Sequence, residues 1–433
     1  MTAASSPRYM NEHKLFAKCA WRLLPLILLI YLINYVDRVN VGFAALTMNR
    51  DLSFSPAVFG FGAGILFFGY SLFQVPANVM LQKVGTRRWI FSIMMLWGLI
   101  SASTALVRDP MSFYGLRFAL GVAEAGFFPG ILLYLTFWFP QAYLARFIGI
   151  FMTGIPLAFV IGGPLSSVLL EMDGIGGLHG WQWLFIIEGL PATFLAFAVL
   201  RLLPDGPAHA AWLTSEEKQL IATRLASEQP HTERLDFLSG LLDPRIWVLG
   251  MVLAGMQFGL YGTQLWIPQI VQSLGFSNFA TGFVVASSFL VAGVGMVIWG
   301  RSSDVNGERI WHIALPLLMG AGALVVAGMA TETMVIVIGL TFGLVGVLAV
   351  EGPLFSLPKT FLSGTGAASG IAFLNTIGSL GRFLGPYVVG VLRQNTGDYG
   401  LGMVAIAGCL VMSAVIVLFL GRSMAARKVQ AAP

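Results

Sequence analysis

Apolar positions in this chain come in long runs separated by short polar breaks. Reading the runs and their breakers gives twelve stretches, at about 21–43, 58–81, 89–107, 112–138, 147–170, 182–203, 246–273, 279–299, 310–330, 334–357, 366–392 and 399–420. Each is near the roughly 20 residues that a helix needs to cross the hydrocarbon core of a bilayer. The pattern predicts an all-α membrane protein with twelve transmembrane helices. One sizeable polar segment, roughly 204–244, divides the runs six and six, so the expected units are 1–203, a linker at 204–244, and 245–433. Within the linker, Leu213-Thr214-Ser215-Glu216-Glu217-Lys218 reads as the start of a short surface helix, with Thr or Ser as N-cap and an acidic first turn. The first apolar run is too long for a signal-peptide core and carries charge inside it, so a retained first span is expected.

Composition agrees with the pattern. Of 433 residues, 57% are hydrophobic and 10% charged, against about 25% charged in soluble domains. The 51 glycines suit helices packed closely in lipid. The net charge of +5 raises the question of nucleic acid, and the placement of the basic residues answers it. With both termini cytoplasmic, nineteen of the 25 Lys and Arg fall on the inner side; only Arg50, Arg108 and Arg393 fall outside, and Arg38, Arg117 and Arg382 lie within spans. The surplus is therefore topology, by the positive-inside rule, and no nucleic-acid partner is expected. Cys19 and Cys409 have no metal-ligand spacing and form no disulfide framework. His13, His179, His209, His231 and His312 fall in loops or at span ends without ligand spacing. No metal, cofactor or enzymatic activity is expected.

The two halves echo each other at a period near 221 residues. Gly85-Thr86-Arg87-Arg88 after the second span matches Gly307-Glu308-Arg309 after the eighth. Gly149-Ile150 and Gly163-Pro164 in the fifth match Gly370-Ile371 and Gly385-Pro386 in the eleventh. Parallel six-helix halves imply two bundles around a central path, with a ligand held near the midplane. Four stretches then carry a family resemblance: Asn34-Tyr35-Val36-Asp37-Arg38-Val39-Asn40, the run from Arg117 to Pro129 (RFALGVAEAGFFP), Trp181-Gln182-Trp183-Leu184-Phe185-Ile186-Ile187-Glu188-Gly189, and Gly364-Thr365-Gly366. The chain resembles the major facilitator superfamily, and these motifs resemble its anion:cation symporter family, over nearly the whole length. The resemblance implies proton-coupled symport of a small organic anion, a class that includes hydroxy dicarboxylates of the tartrate kind, sugar acids and aromatic acids. It also implies a multi-pass protein of the bacterial inner membrane, with monomer as the default state.

Seven ionisable residues fall within spans: Asp37, Arg38, Arg117, Glu124, Glu188, Glu351 and Arg382. An unpaired charge near a helix centre costs about 2.5–3.5 kcal/mol on insertion scales, so each must pair, face water or serve a function. Arg117 and Glu124 are seven residues apart on one helix face, roughly 10 Å along the axis. Asp37 falls near the level of Arg117, so packing the first and fourth spans together brings the three onto one wall. Asp37 and Glu124 are the candidate proton carriers, as the resemblance also implies, and Arg117 or Arg38 the candidate receptor for a substrate carboxylate. The competing reading is a buried ion-pair network that only orients helices. Arg38 faces about 100° from Asp37, so it either joins the site or snorkels outward. Glu188 reads as structural.

In the second half, Gln257, Tyr261 and Gln264 repeat the spacing i, i+4, i+7, and so do Asn375, Ser379 and Arg382. Aligned polar groups at membrane depth need a wet or protein-lined setting. They serve either as contacts for a hydroxylated acid or as interhelical glue. The resemblance places Tyr35 and Asn375 at substrate-contacting positions. Glu351 and Arg382 depart from its pattern: Arg382 is either a second cationic contact for a dianion or half of an internal salt bridge. At span ends, Gly85, Arg87, Arg88, Asp304 and Arg309 resemble the superfamily's loop motif, which locks the inner gate by charge contacts; Lys83 and Val84 depart from it in the first copy. A proton-independent organic-anion facilitator or exchanger is the alternative function, keeping the arginines without needing a titratable Glu124.

Overall fold

The computed structural model describes residues 7–227, 243–360 and 364–430, and the linker residues His231 and Arg234 lie outside that set. The described elements are helices, with no strand among them. The first eight are α1 (Pro7–Asp51), α2 (Pro56–Val84), α3 (Thr86–Ser103), α4 (Pro110–Glu124), α5 (Phe127–Thr136), α6 (Gln141–Met152), α7 (Gly154–Leu170) and α8 (Gly180–Leu202). A linker helix α9 (Ser215–Ala226) follows. Then come α10 (Pro244–Ser273), α11 (Asn278–Asn306), α12 (Ile310–Met329), α13 (Thr333–Leu348), α14 (Glu351–Ser356), α15 (Gly364–Thr396) and α16 (Gly400–Gln430).

Helix starts follow capping chemistry. Ser55, Asp109, Thr214, Asp243 and Ser277 each accept a hydrogen bond from a backbone N–H in the first turn, and prolines 56, 110 and 244 occupy first-turn positions whose N–H has no helical partner. Three apolar runs expected as single spans are instead broken. The breaks, at Ala125–Gly126, Thr153 and Ala349–Val350, separate α4 from α5, α6 from α7 and α13 from α14. Each has one physical cause. A proline lacks the N–H that would bond to the carbonyl four residues back, and Pro129, Pro156 and Pro353 leave the carbonyls of Ala125, Met152 and Ala349 without that bond. Two of the breaks fall beside a carboxylate, Glu124 and Glu351.

Counting broken helices as one, eleven stretches among the described residues are long and apolar enough to cross a membrane. Their outward faces carry exposed Phe194, Val297, Ile298, Met334 and Phe419, which suits contact with lipid. The helix α15, expected as the eleventh span, spans 33 residues but falls short in apolarity because Asn375, Thr376, Ser379 and Arg382 lie along it.

The packing has a pseudo-twofold pattern. Helix α3 packs on α8 as α12 packs on α16, and α2 reaches across to α15 as α11 reaches across to α7. Gly85 and Gly307, at matching places in the repeat, close α2 and α11 with φ of 88° and 63°, a backbone region that favours glycine. Contacts between α1–α8 and α10–α16 run from mid-depth to the end away from the linker. There Asn49 donates to Gln269 at 3.2 Å, the Ala57 N–H to Gln394 at 3.3 Å, and Phe59 meets Trp266 edge-on at 5.0 Å. Phe159 stacks on Phe289 at 3.5 Å. Helices α7 and α11 touch backbone to backbone at Gly163 and Gly282, where a Cβ on Gly282 would lie 2.5 Å from the Gly163 carbonyl oxygen.

The linker is tied to the underside of the first half. Trp212 stacks on Trp138 at 5.6 Å, Tyr134 donates its hydroxyl to the Pro204 carbonyl at 2.8 Å, and Lys18 grips both Glu217 oxygens at 2.8 and 2.9 Å. Lys18 holds the Glu217 carboxylate below its ordinary range, helped by the Thr214 N–H. That contribution is complete above the unfolded value of about 4.3 and is lost as pH falls through the lower folded value. Cys19, next to Lys18, is fully buried. In a Cys409→Ser background, Glu217→Gln should speed maleimide labelling of Cys19 at neutral pH by about two- to fivefold, the loss expected of a part-exposed pair worth ~0.5–1 kcal/mol. An unchanged rate would show that the linker docks without this ion pair.

Candidate functional site

The first helix sets the site. Because α1 packs against α2, α7, α8 and α10, it is surrounded, and successive residues on different faces are all buried. Asp37, Arg38 and Asn40 are 0%, 7% and 0% exposed. Arg38 does not snorkel. Its Nε donates to Glu124 Oε2 at 2.6 Å, and its guanidinium lies 5.0 Å from the Tyr70 ring centre and 5.8 Å from that of Tyr35. Its Nη2 has no hydrogen-bond partner. Glu124 is the last residue of α4 before the Pro129 break, so the chain turns away just past the ion pair.

Asp37 points a different way along the same helix, toward α3 and α8. The Ser101 hydroxyl donates to its Oδ1 at 2.8 Å, and Asn40 Nδ2 approaches the same oxygen at 3.5 Å. Asn40 also lies close enough to Glu188 to act on it through its side chain, and Glu188 accepts from the Ser166 hydroxyl at 2.7 Å. Asp37 and Glu188 thus belong to one buried polar cluster with Ser101, Asn40 and Ser166. Arg117 is 1% exposed, and its three guanidinium nitrogens have no hydrogen-bond partner. Glu124 and Asp37 act on it through space as its nearest opposite charges, and Arg38 opposes them. The expected wall of Asp37, Arg117 and Glu124 is therefore present as an electrostatic group, while the direct ion pair of that wall is the one between Arg38 and Glu124.

The second half faces this cluster through a pair of tyrosines. The hydroxyls of Tyr35 and Tyr261 lie 3.4 Å apart across the interface, and Phe67 packs edge-on to the Tyr261 ring at 4.4 Å. Behind Tyr261, the Arg382 guanidinium sits 5.8 Å from the ring centre and its Nη2 donates to Asn375 Oδ1 at 3.4 Å. Glu351 acts on Arg382 through space. Gln257 and Gln264 are each 2% exposed, and Gln257 Oε1 and both Gln264 amide atoms lack partners. Ser379 is satisfied within its own helix, donating to the Asn375 carbonyl at 2.9 Å. Tyr70, Ser101 and Ser166 stand in the sequence only as single polar residues inside apolar runs, a signal too weak to mark them.

At the span ends, the candidate gate residues make contacts within their own half. The Arg87 N–H donates to Asp205 at 2.9 Å, Arg88 is exposed, and Arg309 pairs with Asp304 at 2.8 Å while also donating to Ser303 at 2.7 Å. Burial works to raise Glu308, but the N–H groups of Trp311 and His312 and the His312 ring outweigh it and hold the carboxylate below its ordinary value. A cavity of about 500 Å³ opens elsewhere, between α1 and α6, with His13, Trp21, Leu24, Leu28, Tyr143 and Phe147 among its walls. It is mainly apolar and none of the site residues lines it.

Fold and site together define a multi-pass membrane transporter. Residues 27–386 match the Major Facilitator Superfamily, and the chain belongs to that superfamily. It is 47% identical over 414 residues to a protein of Agrobacterium vitis provisionally named a tartrate transporter, covering 95% of this chain and 92% of that one. It is 39% identical over 411 residues to the provisionally named metabolite transport protein NicT of Pseudomonas putida, covering 94% of each. Among solved structures, its fold is similar to that of a bacterial homolog of the human lysosomal transporter Spinster, with a TM-score of 0.79 at 18% identity, covering 97% of this chain and 98% of that one.

Breaking a buried ion pair strands a charge, whereas replacing both partners with apolar residues does not. Arg38→Met and Glu124→Leu should each destabilise the purified protein by about 3–5 kcal/mol, and the double variant by less than either. Thermal unfolding in detergent measures this. A double variant as unstable as the two singles combined would show that the pair is not coupled.

Proposed function

We propose that the protein is a proton-coupled symporter that carries a small organic anion inward by alternating access. The observation that carries this reading is the Arg38–Glu124 ion pair: a buried guanidinium held by a carboxylate on one edge, with Nη2 unpartnered on another. A substrate carboxylate and the Glu124 carboxylate compete for the same cation. Protonation of Glu124 releases Arg38 to receive the substrate through its planar fork; loss of that proton restores the pair and expels the anion. Asp37 is the second proton carrier, set apart from the substrate on the Ser101 side. Arg117, buried without hydrogen bonds and in electrostatic contact with both carboxylates, links the two sites through space. Tyr35, Tyr261, Gln257, Gln264, Asn375 and Ser379 form the polar lining that the substrate's remaining atoms meet.

This reading takes α15 as the missing span, so that twelve helices cross the membrane as two bundles, 1–203 and 245–433, joined by the 204–244 linker. The polarity that lowers the hydropathy of α15 is then the polarity of the site. Both termini and the linker face the cytoplasm of a bacterial inner membrane, by the placement of Lys and Arg. Interbundle contacts reach from mid-depth to the far end, so this conformation is closed on the outward side. The gate residues Gly85, Arg87, Arg88, Asp304 and Arg309 re-pair across the bundles when the inner side closes. Substrate is an organic acid, and the tartrate naming of the Agrobacterium vitis relative supports a hydroxylated one. A monoanion entering with one proton moves no net charge, whereas each uncompensated charge would be driven by about 2.3 kcal/mol per 100 mV.

The test is uptake of labelled organic acids by proteoliposomes under an imposed pH gradient, for wild type and Glu124→Gln. Wild type should accumulate its substrate only with the gradient. The variant should lose accumulation and keep counterflow exchange, since exchange needs no net proton movement. Wild-type uptake that equilibrates and ignores the gradient would replace this reading with a facilitator or exchanger.

A further inference from the structure

Arg382 is a cation at membrane depth without a matching anion. Among the described residues no carboxylate lies within ion-pair distance of it; its Nε has no hydrogen-bond partner, and its polar contact with Asn375 is long at 3.4 Å. Such a charge is costly in the membrane unless something completes it. The first-half site offers a contrast. There the carboxylate beside the Pro129 break, Glu124, closes on Arg38 at 2.6 Å. In the second half the carboxylate beside the Pro353 break, Glu351, acts on Arg382 only through space and also on Tyr31 and Tyr35 across the interface.

The two arginines flank one tyrosine pair. Arg38 lies 5.8 Å from the Tyr35 ring centre, the tyrosine hydroxyls lie 3.4 Å apart, and Arg382 lies 5.8 Å from the Tyr261 ring centre. Tyr70 is within electrostatic range of both guanidiniums. Each guanidinium presents one buried donor without a partner, Nη2 on Arg38 and Nε on Arg382. The unpartnered amide atoms of Gln257 and Gln264 lie on the same helix as Tyr261.

We propose that Arg382 receives a second carboxylate of the substrate, so that the transported anion is a short hydroxylated dicarboxylate held between Arg38 in one half and Arg382 in the other. This rests on the organic-anion reading above and narrows it. A monocarboxylate satisfies one guanidinium and leaves the other unpaired; a dicarboxylate satisfies both, and hydroxyls on its short backbone meet the Gln257 and Gln264 amides. Tyr70 lies within electrostatic range of both cations, so one short anion can reach from one to the other. Position 382 thereby sets selectivity for charge number, and because the two contacts come from opposite halves, the dianion also draws the halves together.

The experiment compares uptake and competition in proteoliposomes for succinate, malate and tartrate, each beside its half-amide, with wild type, Arg382→Gln and Arg382→Lys. Wild type should prefer each dicarboxylate it carries over the half-amide by at least about tenfold. Arg382→Gln should raise KM for the dicarboxylate about 10- to 100-fold, the size of one charge-assisted contact, and change the half-amide less than about threefold. Arg382→Lys should recover part of the preference. Equal loss for both members of a pair, with no recovery by Lys, would make Arg382 structural and overturn the proposal. So would a wild type that carries dicarboxylate and half-amide equally, or that carries only monocarboxylates from a wider panel; those two results leave the organic-anion reading standing. If Arg382→Gln fails to fold, wild-type selectivity and Arg382→Lys decide. Uptake of no organic acid by wild type sinks the underlying reading as well.

Discussion

A guanidinium and a carboxylate taken out of water each lose hydration that only a well-placed partner restores, and lipid offers none. Arg38 and Glu124, 2.6 Å apart and nearly without exposure, meet that constraint, and much of the surrounding architecture serves it. Helix α1 is enclosed on several sides, which keeps Arg38 from reaching the membrane surface. Helix α4 stops at Glu124 because Pro129 withholds a backbone donor. Aromatic faces of Tyr70 and Tyr35 take the rest of the guanidinium, a contact that attracts a cation without neutralising it. The pair is thus held by geometry, with Arg38 Nη2 left without a hydrogen-bond partner.

The seal between the halves is of a different kind. Where α7 meets α11, two glycines let backbones touch, and Phe159 lies flat on Phe289 at 3.5 Å. Farther out the contacts are rings and two neutral amide hydrogen bonds. Nothing in that list is charged, so neither pH nor salt acts directly on it. Under the proposed proton coupling, a change of charge at the mid-depth carboxylates would reach the seal through the helices that carry both, chiefly α1 and α10.

Much of this was legible in the sequence. Thr214 announces the linker helix by a capping rule that needs no tertiary context, and the matching glycines at 85 and 307 reveal the repeat. The candidate charges were visible because ionisable residues in apolar runs are conspicuous. Their partners were less so. Spacing along one helix pointed to Arg117 facing Glu124, but which arginine donates depends on the rotation of α1 against α4, and that is fixed by packing. The breaks in three spans are a related case: Pro129, Pro156 and Pro353 are plain to read, yet prolines 25, 76, 164, 191, 268, 316 and 386 lie inside helices that stay continuous. Neighbouring helices decide which freed carbonyls are tolerated. Ser101 and Ser166 escaped notice because a lone hydroxyl in an apolar run is equally at home bonding to its own backbone.

The polarity of α15 bears on how the protein is made. A helix entering a bilayer by itself is judged residue by residue, and one carrying Asn375, Thr376, Ser379 and Arg382 along its length is a poor candidate. Its strongest packing is against α10, with α2 next, and both are synthesised earlier. As the twelfth span proposed above, the segment would wait at the insertion machinery until those surfaces are in place, or enter paired with the strongly apolar α16. Entry of this chain into the membrane is then ordered by packing: α15, the long helix that falls short in apolarity, is the one least able to enter unaided.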